Sequence, residues 1–317
     1  MLKESKQDRF LIYQPNHGFG VELFLLETAF ELAKTLDRTL VLPPMPDLET
    51  LNYRRSLDSY FQIKTNWPWI STEKYRRLYP DTIDQVYHIV PFYRPEYSST
   101  EARNLHPVWL DNIDRLTSFA AMGFKLGEVT RLEVYRPMTL AGVARAFDSD
   151  AAAIGISYIN GIVVEVNQKI EPQNIDFMRL QHIPTCVSDK YLDMARAFAG
   201  DSSYAALHWR RAYHIKEMAQ LLENTQLPTL ATMLDYVPRS LRNLIVASDV
   251  DVSGADLCFG DRMVRSFRDH DPQTNAVVDM SLCVAADSFI GVRASTFSTY
   301  IAFVRQVNGL TGSTVLL

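Results

Sequence analysis

The sequence predicts an α/β protein with two Rossmann-like domains built on parallel sheets, and three observations carry that prediction. The chain opens with a strand, a glycine-containing turn, a helix and a second strand, which is one βαβ unit. A second run of alternating apolar strands and helices begins near Tyr204 and continues to the end. At 317 residues the chain exceeds what one hydrophobic core usually serves, so two domains of about 150 residues each are expected.

The first strand is Phe10 to Gln14, and Pro15 to Gly20 is the turn after it. Val21 to Leu36 follows as a helix, with apolar residues at Leu23, Leu26, Phe30 and Ala33 on one stripe. Thr39 to Leu42 closes the unit, and ligands in such folds bind near the carboxyl ends of the strands. Pro43 to Pro107 carries many aromatics and prolines with no clear period, so irregular structure of long loops and short helices is expected there. Ile154 to Tyr158 and Gly161 to Glu165 read as strands, and Ser188 to Phe198 as an amphipathic helix capped by Ser188.

The domain boundary is expected between Glu171 and Asp189, where Pro172 and Pro184 interrupt regular patterns, giving domains of residues 1–185 and 186–317. In the second domain the strands are Tyr204 to Trp209, Asn243 to Ser248 and Ser288 to Gly291. Helices are expected near Leu230 to Val237, over Ser281 to Ala286 and from Ser298 onward.

A formal net charge of −5 argues against a nucleic-acid binder, which needs a basic excess to displace counterions from phosphates. The three cysteines, Cys186, Cys258 and Cys283, lack the spacing of a zinc site or a disulfide framework and read as reduced structural thiols. The first nine residues hold no apolar stretch of signal-peptide length, and no run reaches membrane-spanning length. A cytoplasmic protein is expected, or a catalytic fragment lacking its targeting segment.

Four stretches carry candidate chemistry. In His208-Trp209-Arg210-Arg211, alternation points His208 and Arg210 the same way at a strand's carboxyl end, where a guanidinium suits bidentate phosphate binding. A surface ion pair is the plainer account of such arginines. The apolar strand ending at Ser248 runs into Asp249-Val250-Asp251-Val252-Ser253, which fits a phosphatase nucleophile with Asp251 as acid/base, a metal-binding DxD pair, or a capped turn. The phosphatase reading requires a later lysine, and none follows Lys216. Gly18-Phe19-Gly20 lacks the third glycine of a dinucleotide fingerprint, because Leu23 stands there. Finally, Ser295-Thr296-Phe297-Ser298 opens a helix just after a buried strand, so hydroxyls and backbone N–H groups converge where an anion could sit.

Taken in order, Gly18-Phe19-Gly20, His208-Trp209-Arg210-Arg211, Ala247-Ser248-Asp249 and Asp279 through Phe297 resemble motifs of the GDP-fucose-dependent group that includes protein O-fucosyltransferases and nodulation α1,6-fucosyltransferases. The match is discontinuous and touches both halves. The resemblance implies a GT-B type fold, with the two domains facing a central cleft. It implies an acceptor side in the N-terminal domain and a C-terminal domain that holds the nucleotide sugar.

The same resemblance implies an inverting, metal-independent transferase that moves L-fucose from GDP-fucose to a hydroxyl of a glycan or protein acceptor, with no separate cofactor. Arg210 would hold the diphosphate and assist its departure, with His208, Arg211, Ser295 and Thr296 beside it. Asp249 and Asp279 would line the guanosine side, Phe297 would pack near the nucleotide, and Asn16, Gly18, Phe19 and Gly20 would approach the donor. Relatives with Asn-Gln after the first-motif glycine differ from the Val21-Glu22 found here, which makes Glu22, or else Asp249, the candidate general base. Two other readings stay open: a transferase using another nucleotide-6-deoxysugar, and a non-catalytic nucleotide-sugar-binding protein that kept Arg210 and lost its base. Trp67, Trp69 and Tyr93 could stack on an acceptor or belong to the core.

Overall fold

The structure, a computed structural model, describes residues 8–15, 19–46, 53–93, 116–136, 140–157, 185–210, 228–248, 252, 261–293 and 295–317. The chain divides into two compact units, one of Met1–Gly18 with Glu22–Cys186, the other of Phe19–Val21 with Val187–Leu317.

In the first unit, β1 (Phe10–Tyr13) precedes α1 (Phe19–Thr35), whose first three residues group with the second unit, and β2 (Thr39–Leu42). The predicted stripe of α1 is buried, and so are Phe24, Leu25, Ala29 and Leu32, so this helix is covered over much of its circumference. Lys34 sits in its last turn, where a cation complements the helix dipole, and Asp37 with φ 51° ends it in the left-handed region. β3 (Trp69–Ser71), α2 (Thr72–Leu78), β4 (Thr82–Tyr93), α3 (Thr117–Ala121), β5 (Lys125–Arg136), α4 (Leu140–Ala146) and β6 (Ala153–Ser157) complete the unit's main elements.

The strands form one parallel sheet of order β3-β2-β1-β6-β4-β5. Phe10, Ile12, Val41, Ile83, Val86 and Phe119 share its core. The stretch expected to hold loops and short helices has the short helix α2 but also a long strand, β4. Ile83, Val86, Tyr87, His88 and Ile89 of β4 are all buried between two neighbouring strands, which erases the two-residue period that marks a half-buried strand. Asp84 and Pro91 hide the pattern further, yet Asp84 is used: its Oδ2 accepts from the Ala153 amide at 2.8 Å. Trp67 donates from Nε1 to the Arg38 carbonyl at 2.8 Å, an anchoring role within this unit. The strand expected over Gly161 to Glu165 lies outside the described residues.

The second unit contains α5 (Asp189–Ala199), β7 (Tyr204–Trp209), α6 (Leu230–Leu234), β8 (Asn243–Ser248), β9 (Met263–Arg265), α7 (Pro272–Ala285), β10 (Ser288–Gly291), α8 (Thr296–Val307) and β11 (Thr314–Leu316). Its five strands are parallel, in the order β9-β8-β7-β10-β11. Ser188 stands at the cap position of α5, but its side chain makes no capping bond there. α7 begins nine residues before the predicted Ser281, because Asp271 accepts from the Gln273 amide and Pro272 takes the first helical position. α6 stops at Leu234, short of the predicted Val237, and α8 starts at Thr296 rather than Ser298.

Arg305 of α8 is fully buried and ties together the end of α7 and the last strand. Its Nη1 donates to the carbonyls of Val284 at 2.9 Å and Ala286 at 2.6 Å, and its Nε donates to Thr314 Oγ1 at 2.8 Å. The carbonyls that a helix end leaves without partners are satisfied here by one side chain. Among the described residues, no helix is long and apolar enough to cross a membrane.

Candidate functional site

In the second sheet the chain runs outward from β7 to β8 and β9, then returns to place β10 on the other side of β7. The carboxyl ends of β7 and β10 are therefore a topological switch point, the place where ligands bind in open α/β sheets. β7 ends with His208 and Trp209, with half-buried Arg210 just beyond it. β10 ends at Gly291, and Ser295 then starts α8.

Ser298, in the first turn of α8, links these pieces. Its Oγ accepts from the Val292 amide at 3.0 Å and lies 2.6 Å from His208 Nδ1. Both Ser298 and His208 are buried, and the His208 ring packs against Phe297 with centroids 4.8 Å apart at 49°. Gly291 makes room for the serine: a Cβ at that position would come within 2.8 Å of Ser298 Cβ and Oγ. Gly20, in the three-residue segment that groups with this unit, lies equally close to the helix start. A Cβ there would sit 2.6 Å from Phe297 N and 2.7 Å from the Thr296 carbonyl carbon.

Ser295 is the N-cap of α8, yet its side chain makes no capping hydrogen bond. The first N–H groups of a helix have no intrahelical acceptor, and the dipole makes that end positive. A helix start with uncapped donors and the Ser295 and Thr296 hydroxyls, at the same sheet end as Arg210, is suited to an anion.

A second polar group lies beside β8. Arg268 donates through Nη2 to the Ser248 carbonyl at 3.3 Å, and its Nη1 is 3.8 Å from Asp279 Oδ2. Ser248 Oγ donates to the Trp209 carbonyl at 2.8 Å, joining the ends of β8 and β7. Asp279, on α7, is 5% exposed, and its buried Oδ1 has no hydrogen-bond partner among the described residues. Burial pushes its carboxyl pKa up to about 8 against the opposing pull of Arg268.

The folded state thus holds the Asp279 proton more tightly than the unfolded chain. Its contribution to stability is full below the ordinary carboxyl pKa of about 4 and is lost as pH rises to about 8. We expect Asp279→Asn to flatten the fall of thermal stability between pH 5 and 8 relative to wild type. Parallel slopes for the two proteins in melting scans would refute this.

In the first unit, Glu22 is fully buried in the first turn of α1. Its charge adds to burial in raising the pKa of Tyr13 well above that of a free tyrosine. Where β6 ends beside the middle of β4, His88 Nδ1 lies 3.0 Å from Ser157 Oγ. Gln14, one residue beyond β1, donates from Nε2 to Ser118 Oγ at 2.7 Å.

Of the residues expected at the site, His208, Arg210, Asp279, Ser295, Thr296, Phe297, Phe19 and Gly20 fall within the second unit, and Glu22 within the first. Asn16, Gly18, Arg211 and Asp249 lie outside the described residues, as does Asp251. Sequence reasoning placed Ser298 in the anion-binding run without linking it to His208, and passed over Arg268, which sits in a stretch with no motif. Among the described residues, no group of three or more His, Cys, Asp or Glu converges as a metal site.

The fold and this switch point define an α/β protein with a helix start at the strand ends of a parallel sheet. No protein-family model matches the chain, and no curated protein does. Solved structures do match. POFUT1 in complex with GDP is 14% identical, with a TM-score of 0.66 over 98% of each chain. POFUT1 in complex with GDP-fucose is also 14% identical, with a TM-score of 0.67 over 98% of this chain and 99% of that one. The fucosyltransferase NodZ from Bradyrhizobium is 15% identical, with a TM-score of 0.47 over 93% of this chain and 92% of that one. The POFUT1 likeness establishes the fold, the GT-B type α/β architecture that the sequence led us to expect.

Proposed function

We propose that the chain is an inverting fucosyltransferase that moves L-fucose from GDP-fucose to a hydroxyl of a glycan or protein acceptor, without a metal ion. The observation that carries this reading is the contact of buried His208 with Ser298 at the start of α8, a start without a side-chain cap, with Arg210 one residue past the end of β7 at the same switch point. Its support comes from the fold shared with POFUT1 structures holding GDP and GDP-fucose.

In the reaction, the bond from the fucose anomeric carbon to the β-phosphate oxygen breaks, and the acceptor oxygen bonds to the opposite face of that carbon. The acceptor's proton passes to a carboxylate, Glu22 or Asp249. Negative charge grows on the departing GDP, and a fixed guanidinium with N–H and hydroxyl donors is strongest where charge develops. Arg210, Arg211, Ser295 and Thr296 serve the diphosphate in this reading. Asp249 and Asp279 take the guanine edge, whose N–H groups need acceptors, and Phe297 packs on the nucleotide. Asn16, Gly18, Phe19 and Gly20 approach the same donor.

The test is calorimetric titration with GDP, UDP and ADP in EDTA. We expect tight binding of GDP alone, unaffected by EDTA. A preference for UDP or ADP, or a need for added divalent cation, would overturn the assignment. GDP binding without transfer from GDP-fucose to any acceptor would leave a nucleotide-sugar-binding protein.

A further inference from the structure

Among the described residues the hydroxyl of Ser298 has one acceptor within reach, and that fixes the state of the neighbouring histidine. Ser298 is fully buried on the first turn of α8. Its oxygen already accepts the Val292 amide proton at 3.0 Å, and its other polar contact is His208 Nδ1 at 2.6 Å. A hydroxyl carries one proton and two lone pairs. If Nδ1 carried a hydrogen and donated it to Ser298, the hydroxyl proton would be buried with no acceptor, an arrangement that native interiors avoid. The chain of donation therefore runs from the Val292 amide to Ser298 Oγ, and from Ser298 Oγ–H to His208 Nδ1.

We propose that Ser298 is a positioning residue that holds His208 in the neutral tautomer with its proton on Nε2, so that the histidine presents an N–H donor. Three features of the fold set up this relay. β7 and β10 run side by side, which brings His208 within reach of the helix that follows β10. Gly291 lacks the Cβ that would collide with the serine at 2.8 Å. The Phe297 ring packs on the imidazole and restricts its rotation. The tautomer matters because an Nε2–H donor stabilises negative charge, whereas the other tautomer would place a lone pair there. The role at the diphosphate rests on the fucosyltransferase reading above; the tautomer does not.

Two measurements test it. The first is ¹⁵N-histidine NMR of the unliganded protein, with the His208 signal assigned by its disappearance in His208→Gln. Wild type should show a hydrogen-bearing Nε2 and a pyridine-like Nδ1, and Ser298→Ala should show a mixture of tautomers. A hydrogen on Nδ1 in wild type, or an unchanged spectrum in Ser298→Ala, overturns the proposal.

The second is a double-mutant cycle on GDP affinity. Ser298→Ala should weaken GDP binding about tenfold in the wild-type background and have little effect in His208→Gln. Equal losses in both backgrounds would mean a structural role that does not pass through His208, and the proposal would fall. Gly291→Ala, whose Cβ would displace the Ser298 side chain, should reproduce the tautomer mixture without replacing either residue. If wild type fails to bind GDP at all, the functional reading fails while the NMR experiment still decides the tautomer. If Ser298→Ala does not fold, Gly291→Ala and the wild-type spectrum carry the decision.

Discussion

Arg210→Ala is expected to lower fucosyl transfer by about 10²–10³-fold, the loss seen when one preorganised donor to a developing anion is removed. Arg210 follows the central strand of a parallel sheet at its switch point, half-buried, on the same strand end as a histidine whose ring is fixed by Ser298 and Phe297. Low local dielectric there strengthens each charge interaction over its value in water. GDP affinity should fall as well, but by less than turnover, because the leaving diphosphate gains charge only as the glycosidic bond breaks. Arg210→Lys should recover part of the affinity and little of the rate, since an ammonium lacks the planar fork that meets two phosphate oxygens at once. Initial rates with GDP-fucose, read alongside GDP titration and a thermal melt, separate these outcomes. Retained turnover in a folded Arg210→Ala protein would remove the arginine from the chemistry.

The sheet skeleton was legible where the strands alternate with helices under one hydrophobic pattern. β1, α1, β2, β7, β8 and β10 lie within a residue or two of their expected places, because each is a short apolar run bounded by turn residues. β4 was not legible. It is buried on both sides and carries Asp84, His88 and Pro91, so neither a continuous apolar run nor alternation survives in its sequence. β5 pairs with β4 alone at the sheet edge, and its mix of lysine, arginine and glutamate looks like any solvated segment. Helix starts did not track the caps that are used. Asp271 makes its bond and stands before a proline, yet the start of α7 there was not read, whereas the start of α5 was read at Ser188, which holds the cap position without making a bond.

The site was legible as residue types and not as connections. His208, Arg210 and the Ser295–Phe297 run could be named because each follows a strand end. The bond from Ser298 to His208 spans ninety positions in sequence and depends on strand order, which local periodicity does not encode. The Arg268–Asp279 pair has the same character. A buried carboxyl beside a guanidinium arises from how α7 lies on the sheet, and nothing near either residue announces it.

Gly20→Ala should destabilise the protein, and the sign of the effect is the informative part. Gly20 lies within α1, where alanine is favoured over glycine by about 1 kcal/mol on helix propensity alone. Propensity therefore predicts a more stable variant. Packing predicts the reverse, since the new Cβ would stand 2.6 Å from Phe297 N and 2.7 Å from both Phe297 Cα and the Thr296 carbonyl carbon. All three are backbone atoms at the start of α8 and cannot yield by a change of rotamer. Overpacking of this kind costs about 1–3 kcal/mol, which exceeds the propensity gain at most of that range. Gly312→Ala is the matched control, because a Cβ there meets nothing within 4 Å. Urea denaturation of the three proteins should place Gly20→Ala below wild type and Gly312→Ala close to it. GDP affinity should also drop in Gly20→Ala, because relieving the collision means moving the Thr296 and Phe297 backbone that the nucleotide is proposed to meet. A Gly20→Ala protein as stable as wild type, with unchanged GDP affinity, would mean that the first turn of α1 does not set the position of the α8 start.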